Sequence, residues 1–551
     1  MNKAQFRSDW LNRLKIAWQL PLANLKFFFV VLLVLGIFFR FVNIDRKIYW
    51  HDEAYTSLRV AGYTSKEVGE QVFNGQVINV KDLEKYQRIN PEKSLADTIK
   101  SLEIDDAQHP PLYYILVRLW VQWFGNSISV TRSLSALFSV LVLPCVYFLC
   151  LELFESSLVG WVAIALISIS PFHVLYAQEA REYSLWTLLI LLASWALLKA
   201  LRFHTEGKKA IHLVGRWGTY AAAIGLGIYT FPFTGLVGVG HGIYVIVTER
   251  FRLTKSVVAY LLASIIAFLS FVPWLLVTIS TWSQTGATWT SLPIPLLTLV
   301  KVWGLHIERA FILTIGDFGF DDPLIYLTLP FFLSLTIYSI YFLCRYTPVR
   351  VWLFVLTLMA TLSLFLLLPD LILGGQRSTA GRYLVPFYLG VQLSIAYLLA
   401  TQIISTNFFK QKFWQLVMAI VVTAGVISCA ISSQAVTSWN KVISYNNLEV
   451  ARIVNQAKTP LLISSSFGVN FGNTFALSYL LNPKVKLQLV TGNTQPDYLN
   501  IPKIPPGFSD VFILNPSDKF REKIENEYNN KMNLLFNDSF LFLWKLTTPL
   551  R

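Results

Sequence analysis

Charge is scarce in this chain, and acidic charge most of all: 32 Asp and Glu stand against 46 Lys and Arg in 551 residues, with 14% charged in total. An ordinary soluble domain carries about a quarter charged residues, so a water-exposed enzyme of this length is excluded. Cysteine is almost as rare. Cys145, Cys150, Cys344 and Cys429 all fall in apolar stretches and form no Cys-x-x-Cys pair, which leaves neither a disulfide scaffold nor a cysteine metal centre and reads as four small buried hydrophobes. The chain shows no Gly-rich phosphate loop, no zinc-ligand spacing, no internal repeat and no low-complexity tract. The first apolar run ends in Arg40 and Phe41 rather than in the small residues of a cleavage site, so Leu25 to Val42 reads as a retained helix and not as a signal peptide.

What remains is apolar: 54% hydrophobic residues, 15% aromatics and a mean hydropathy of +0.51. Eleven runs near the length that crosses a bilayer recur from Leu25–Val42 to Phe413–Ile431. In lipid every backbone polar group needs an internal partner, so these runs must be helices. The expected fold is therefore an α-helical polytopic membrane protein. Leu112 to Phe124 is helix-like but short for a crossing, and Leu296 to Ile315 carries Lys301, His306, Glu308 and Arg309 on an otherwise apolar stretch. If both cross, the eleven spans become thirteen.

The net charge of +14 follows topology rather than nucleic acid, because the basic residues sit in short connections between apolar runs. Lys3, Arg7, Arg13, Lys15 and Lys26 precede the first span. Lys199, Arg202, Lys208, Lys209 and Arg216 form a second cluster, followed by Arg250, Arg252 and Lys255, by Arg345 and Arg350, and by Lys410 and Lys412. The positive-inside rule places all of these in the cytoplasm, with the N-terminus. The long segment from Asn43 to Pro110 carries 12 acids against 9 bases and belongs on the opposite side. Trp10, Leu14 and Trp18, interleaved with Arg13 and Lys15, suggest an interfacial helix ahead of the first span.

After Ile431 long apolar runs stop and Asn, Lys, Pro and Ser become frequent. The expected division is a membrane module over residues 1–436, including a first extracytoplasmic loop at 43–111, and a small extracytoplasmic α/β domain over 437–551. Within that domain Leu448 to Ala457 and Asp518 to Glu527 read as helices, and Pro460 to Ser464, Val485 to Val490, Val511 to Leu514 and Phe540 to Leu546 as strands.

Four polar groups are expected at the outer surface: Asp52-Glu53, Gln108-His109-Pro110-Pro111-Leu112, Gln178-Glu179-Ala180-Arg181-Glu182-Tyr183, and Arg377 with Gly381-Arg382-Tyr383. Asp52 and Glu53 suit a helix N-terminus, where acids meet the helix dipole and His51 or Asp52 would cap the first turn. They equally suit catalysis, one carboxylate taking a proton from an attacking hydroxyl while the other supports it; Asp52 is the preferred base. His109 before two prolines is either a rigid helix entry or an anion-binding ring N–H. Arg181 and Arg382 end apolar spans, where guanidinium groups either grip a phosphate bidentately or snorkel and pair with Glu179 or Glu182. Tyr55, Tyr183 and Tyr383 stand beside these groups in a supporting place. The other histidines, His173, His204, His212, His241 and His306, have no ligand-like spacing.

The order of these motifs resembles the polyprenyl-phosphate-dependent membrane glycosyltransferases of the C type, in particular the protein O-mannosyltransferase and bacterial lipid-A glycosyltransferase relatives. The resemblance covers roughly Leu25 to Ile404. It is carried by Asp52-Glu53, by His109-Pro110-Pro111-Leu112, by Ser170-Pro171-Phe172-His173 with Tyr176 and Glu179-Ala180-Arg181-Glu182-Tyr183, and by Arg382-Tyr383-Leu384-Val385-Pro386. It implies a sugar donor on a long isoprenoid phosphate, a lipid, glycan or protein acceptor, and an inverting one-step transfer at the outer face of a bacterial inner membrane. Asp52 would be the general base, supported by Glu53, and His109, Arg181 and Arg382 would bind the donor phosphate. His109 stands where some relatives place a lysine, and Arg181-Glu182 where some carry an aspartate. No cofactor is implied, and a divalent cation is neither required nor excluded. Two other readings share the composition: a transporter or flippase of lipid-linked or anionic solutes, and an oligosaccharide polymerase or ligase.

Overall fold

The computed structural model describes residues 23–205, 210–281, 288–313, 322–492 and 502–547. The interfacial helix expected around Trp10, Leu14 and Trp18 lies outside them. The chain folds into two compact units: one of Met1–Ile44, Gln108–Leu112 and Ser133–Gln434, the other of Asp45–Ala107, Tyr113–Arg132 and Ala435–Arg551.

Among its described residues the first unit holds helices and their connections and no strand, as its apolar runs require. All eleven expected stretches are helical, and among the described residues seven helices are long and apolar enough to cross a membrane. The pair Ser157–Ser168 and Pro171–Ala177, bent by 61°, makes an eighth when taken as one span. Helix Val385–Gln402 is buried on nearly every side, and it packs against Ser157–Ser168, Ile325–Tyr346 and Val349–Leu373. A helix apolar all round belongs at the centre of a bundle.

The 61° bend has an identifiable cause. Pro171 lacks an N–H and disfavours helical geometry at Ser170, so the first helix must stop there. The carbonyls this leaves open are taken up by the fully buried Arg40. Its Nη1 donates to Ser168 O at 2.8 Å and to Gly36 O at 2.7 Å, Nη2 donates to Ile167 O at 3.1 Å, and Nε donates to Ser139 Oγ at 2.8 Å. A cation over the negative end of a helix is favourable, and it fixes the direction in which Pro171–Ala177 leads on to Gln178, Glu179 and Arg181.

The second unit holds a six-stranded sheet. Its strands are β1 (Asn74–Asn79), β2 (Pro460–Ser465), β3 (Lys486–Val490), β4 (Asp510–Leu514), β5 (Met532–Asn537) and β6 (Phe542–Leu546), in the order β1-β3-β2-β4-β6-β5. β3, β2 and β4 are parallel, while β1, β6 and β5 join antiparallel at the two sides. β2 is buried along its whole length, as expected of a central parallel strand covered on both faces. Leu462 aligns with Leu487 and Phe512 on one face, within a core that also holds Ala54, Leu58, Val450 and Phe475. Leu461, Ile463, Val511 and Ile513 face the other core with Phe520 and Ile524.

The division of the chain differs from the one read in the sequence. Residues 45–107, expected with the membrane module, group with Ala435–Arg551, because β1 pairs with β3 and the helix His51–Ala61 shares the core of the sheet. β1, β5 and helix Asn470–Ser478 were not anticipated. The segment Asn74-Gly75-Gln76-Val77-Ile78-Asn79 has too few apolar residues to show a period of two.

Candidate functional site

In the second unit, Asp52 and Glu53 occupy the first turn of helix His51–Ala61, whose open N–H groups favour acids. The cap is not His51 or Asp52 but Trp50, which offers no side-chain hydrogen bond; the N–H of His51 is satisfied instead by Ser444 Oγ at 3.0 Å. The two adjacent carboxylates then part company. Glu53 is fully buried: Arg132 donates through Nε to Oε1 and through Nη2 to Oε2, both at 2.7 Å, and Lys441 Nζ reaches Oε2 at 3.2 Å. Arg132 also donates to the carbonyls of Lys47 and Ile48 at 2.9 Å, and both it and Lys441 are without exposure at the side chain. Tyr49, beside this triad, is held well above the ordinary phenol range by burial first, then by Tyr479 and Glu53.

Asp52 keeps 19% of its side chain exposed, with Oδ1 3.2 Å from His51 Nδ1. Tyr55 is a packing residue: its ring stacks on Phe471 at 5.8 Å, meets the edge of His51 at 5.0 Å and lies under the Arg59 guanidinium. The same two rings meet the backbone of Gly472, where any Cβ would come within 2.8 Å of His51 Cδ2. Glycine at 472 therefore lets helix Asn470–Ser478 close on His51 and Tyr55.

In the first unit, the structure brings His109, Arg181 and Glu182 together. His109 Nδ1 lies 3.1 Å from Glu182 Oε1, and Arg181 Nη2 lies 3.2 Å from the same oxygen and 3.5 Å from His109 Nε2. Burial alone would push the Glu182 carboxyl up, but Arg181 and His109 outweigh it and bring the group down to about 2. The sign follows from linkage: a carboxyl ordinarily near 4.5 that is depressed in the fold contributes stability present above pH 4.5 and lost as pH falls towards 2. Glu182→Gln is therefore expected to melt below the parent protein at neutral pH, and the gap between the two melting temperatures should close between pH 5 and pH 2. A gap that stays constant over that range would refute the ion cluster.

Arg181 and Arg382 both act electrostatically on Tyr183, and Arg382 and Arg309 both act on Tyr176, so three guanidinium groups gather around these two rings. The Arg382 guanidinium lies 5.4 Å from the Tyr383 ring and 6.0 Å from that of Trp289. Tyr383 packs in turn on Phe231 at 5.7 Å and Phe233 at 5.5 Å, and Tyr183 reaches the same Phe231 at 5.8 Å. Arg377, by contrast, is tied to Asp370: Nη1 donates to Oδ1 at 3.0 Å, while Ser378 N and Oγ take Oδ2 at 2.7 and 2.8 Å. It serves the turn after helix Val349–Leu373. Among the described residues no three His, Cys, Asp or Glu side chains gather to hold a metal ion.

The sequence reading missed Arg132, Lys441 and Arg309. Arg132 was detectable, being an arginine at the start of an apolar run like Arg181; Lys441 carried no signal, since only the fold brings it to Glu53.

The helices long and apolar enough to cross a membrane, together with the six-stranded sheet, make up an ArnT-like fold. ArnT from Cupriavidus metallidurans in the apo state superposes with a TM-score of 0.52 at 13% identity, over 95% of this chain and 98% of that one. The same protein bound to undecaprenyl phosphate gives 0.49 at 13% identity, over 94% and 97%. The archaeal oligosaccharyltransferase AglB from Archaeoglobus fulgidus, in complex with an inhibitory peptide and a dolichol-phosphate, gives 0.48 at 12% identity, over 83% and 65%. Residues 108–277 match the dolichyl-phosphate-mannose-protein mannosyltransferase family. No curated protein matches the chain in sequence. The resemblance to polyprenyl-phosphate-dependent C-type glycosyltransferases thus holds. His109-Pro110-Pro111-Leu112 and the Ser170–Tyr183 motif lie inside the matched residues, whereas Asp52-Glu53 and Arg382 lie outside them.

Proposed function

We propose that this protein is an integral-membrane glycosyltransferase that moves a sugar from a polyprenyl-phosphate donor to a lipid, glycan or protein acceptor on the extracytoplasmic face. The family matched by residues 108–277 uses a dolichyl-phosphate sugar, which supports a donor of this chemistry. The reading extends to topology: eleven to thirteen spans in a bacterial plasma membrane, with the N-terminus cytoplasmic and both the first loop and the C-terminal domain outside.

The observation that carries the mechanism is the division of labour between two adjacent carboxylates. Glu53 is sealed by Arg132 and Lys441 with no side-chain exposure, while Asp52 keeps 19% of its side chain exposed. A general base must meet the incoming hydroxyl, which the buried Glu53 cannot do, so Asp52 takes the proton. Displacement of a phosphate also requires neutralisation of the charge that develops on the leaving group, which is the role of Arg181 and Arg382. His109, which lies against both Arg181 and Glu182, holds them in register at the donor phosphate. The acceptor oxygen bonds to the anomeric carbon as the bond to the lipid phosphate breaks, the proton passes to Asp52, and the configuration inverts.

Titration of purified protein with a labelled polyprenyl-phosphate sugar tests the phosphate assignment. Arg382→Ala removes a charge-assisted contact of about 1.5–3 kcal/mol, so donor affinity should fall by a factor on the order of ten to a hundred. An unchanged affinity would remove Arg382 from the site.

A further inference from the structure

Helices Ile325–Tyr346 and Phe408–Gln434 of the first unit enclose a groove of about 690 Å³, lined by Pro330, Ser334, Tyr338, Phe413, Trp414 and Val417 among others. Its size falls within the roughly 300–1,000 Å³ of small-molecule sites. It is separate from the cluster around Tyr176 and Tyr183. Tyr338 stacks on Trp414 at 5.6 Å, while Phe413 and Tyr341 stay largely exposed, so the groove opens outward with aromatic walls.

The chain's connections place one end of this groove among cations. Helix Ile325–Tyr346 turns directly into Val349–Leu373, and Val385–Gln402 returns before Phe408–Gln434 begins. Tyr397 donates from its hydroxyl to Tyr346 O at 3.3 Å, which fixes the end of Val385–Gln402 beside the end of Ile325–Tyr346. The start of Phe408–Gln434 therefore lies at that same end. Arg345 stands seven residues beyond Tyr338 and Lys410 four before Trp414, the spacings that keep a residue on one helix face. At 1.5 Å per residue these are about 10 and 6 Å from the aromatic stack, a gap that two long side chains close by snorkelling. Arg345, Lys410 and Lys412 are exposed, and no carboxylate pairs with them among the described residues.

We propose that this groove is a binding site for an anionic phospholipid of the bilayer, its acyl chain lying along the groove against the edge of the Tyr338–Trp414 stack and its phosphate held by Arg345 and Lys410. A basic rim between helices at the membrane surface suits such a headgroup. A zwitterionic lipid is disfavoured, because its ammonium would be set against the same cations. Nothing in this site depends on the sugar-transfer reading.

The test is native mass spectrometry of the full-length protein released from nanodiscs of equal phosphatidylglycerol and phosphatidylcholine. Phosphatidylglycerol should be retained in preference, by about fivefold or more, and the preference should fall to near parity in R345Q/K410Q. W414A should lower retention of the lipid while leaving the preference in place. Equal retention of the two lipids by the parent protein, or an unchanged preference in R345Q/K410Q, would overturn the proposal. So would displacement of phosphatidylglycerol by equimolar polyprenyl phosphate, which would give the groove to the donor carrier, or a groove covered by a second copy of the chain, seen as a dimer lost in W414A. The exposed positions of Arg345 and Lys410 make R345Q/K410Q compatible with folding, and its melting temperature serves as the control.

Discussion

Sugar transfer by Asp52→Asn is expected to fall at least a hundredfold, to the background of the assay, in membranes supplied with a labelled polyprenyl-phosphate sugar and acceptor extract. The substitution exchanges one oxygen for an amide nitrogen at nearly constant volume on a side chain that is only partly buried, so folding should be untouched. His51 keeps a polar partner in the remaining carbonyl oxygen. What is lost is the capacity to accept a proton, and general base catalysis by a positioned carboxylate is worth about 10²–10⁴ in rate. Donor affinity should stay at the parent value, since the phosphate is assigned to Arg181 and Arg382. Parent-level transfer in Asp52→Asn would remove Asp52 from the chemistry, and a loss of donor binding would move it to another role. Asp52→Glu, which keeps the base but displaces it by one methylene, should retain measurable activity.

The bundle was legible in the sequence because lipid leaves a chain so few options: an apolar run must be helical, and the eleven runs are, although Leu158 to Tyr176 breaks into two helices at Pro171. The strands β2, β3 and β4 were legible for the related reason that a buried parallel strand is a short continuous apolar run. The pairing of β1 with β3 was hidden, since it joins residues over 400 positions apart and β1 itself is polar at both ends. At the candidate site, the residues that the sequence singled out are those where charge sits next to an apolar span. Arg181, Glu182 and His109, which come from two separate motifs, lie within 3.5 Å of one another. Arg377 shows the reverse: it lies only five residues before Arg382 in the same connection, and only the fold hands it to Asp370. The unequal fates of Asp52 and Glu53 could not be read at all, because adjacent residues on a helix point about 100° apart and the partners of Glu53 come from distant segments.

That inequality leads to an opposite expectation for the neighbour. Glu53→Gln should preserve volume and still unfold the second unit well below the parent temperature, because it leaves Arg132 and Lys441 buried with no anion between them. Removing one partner of a buried ion pair costs about 3–5 kcal/mol, most of it the desolvation of the charge left behind, and here two cations lose the same partner. The loss should appear as a lower melting temperature and as protease cleavage in the segments 45–107 and 435–551, with transfer activity lost in proportion to the folded fraction. Asp52→Asn should show none of the first two effects, so the two variants separate a base from a buried counter-ion even though both lower activity. A third variant decides between charge and shape. Lys441→Met in the Glu53→Gln background withdraws one uncompensated cation and replaces it with an apolar side chain of similar length, so the double variant should melt above Glu53→Gln alone. Additive destabilisation would mean that Glu53 and Lys441 are not coupled, and that the buried charge is balanced through Arg132 only.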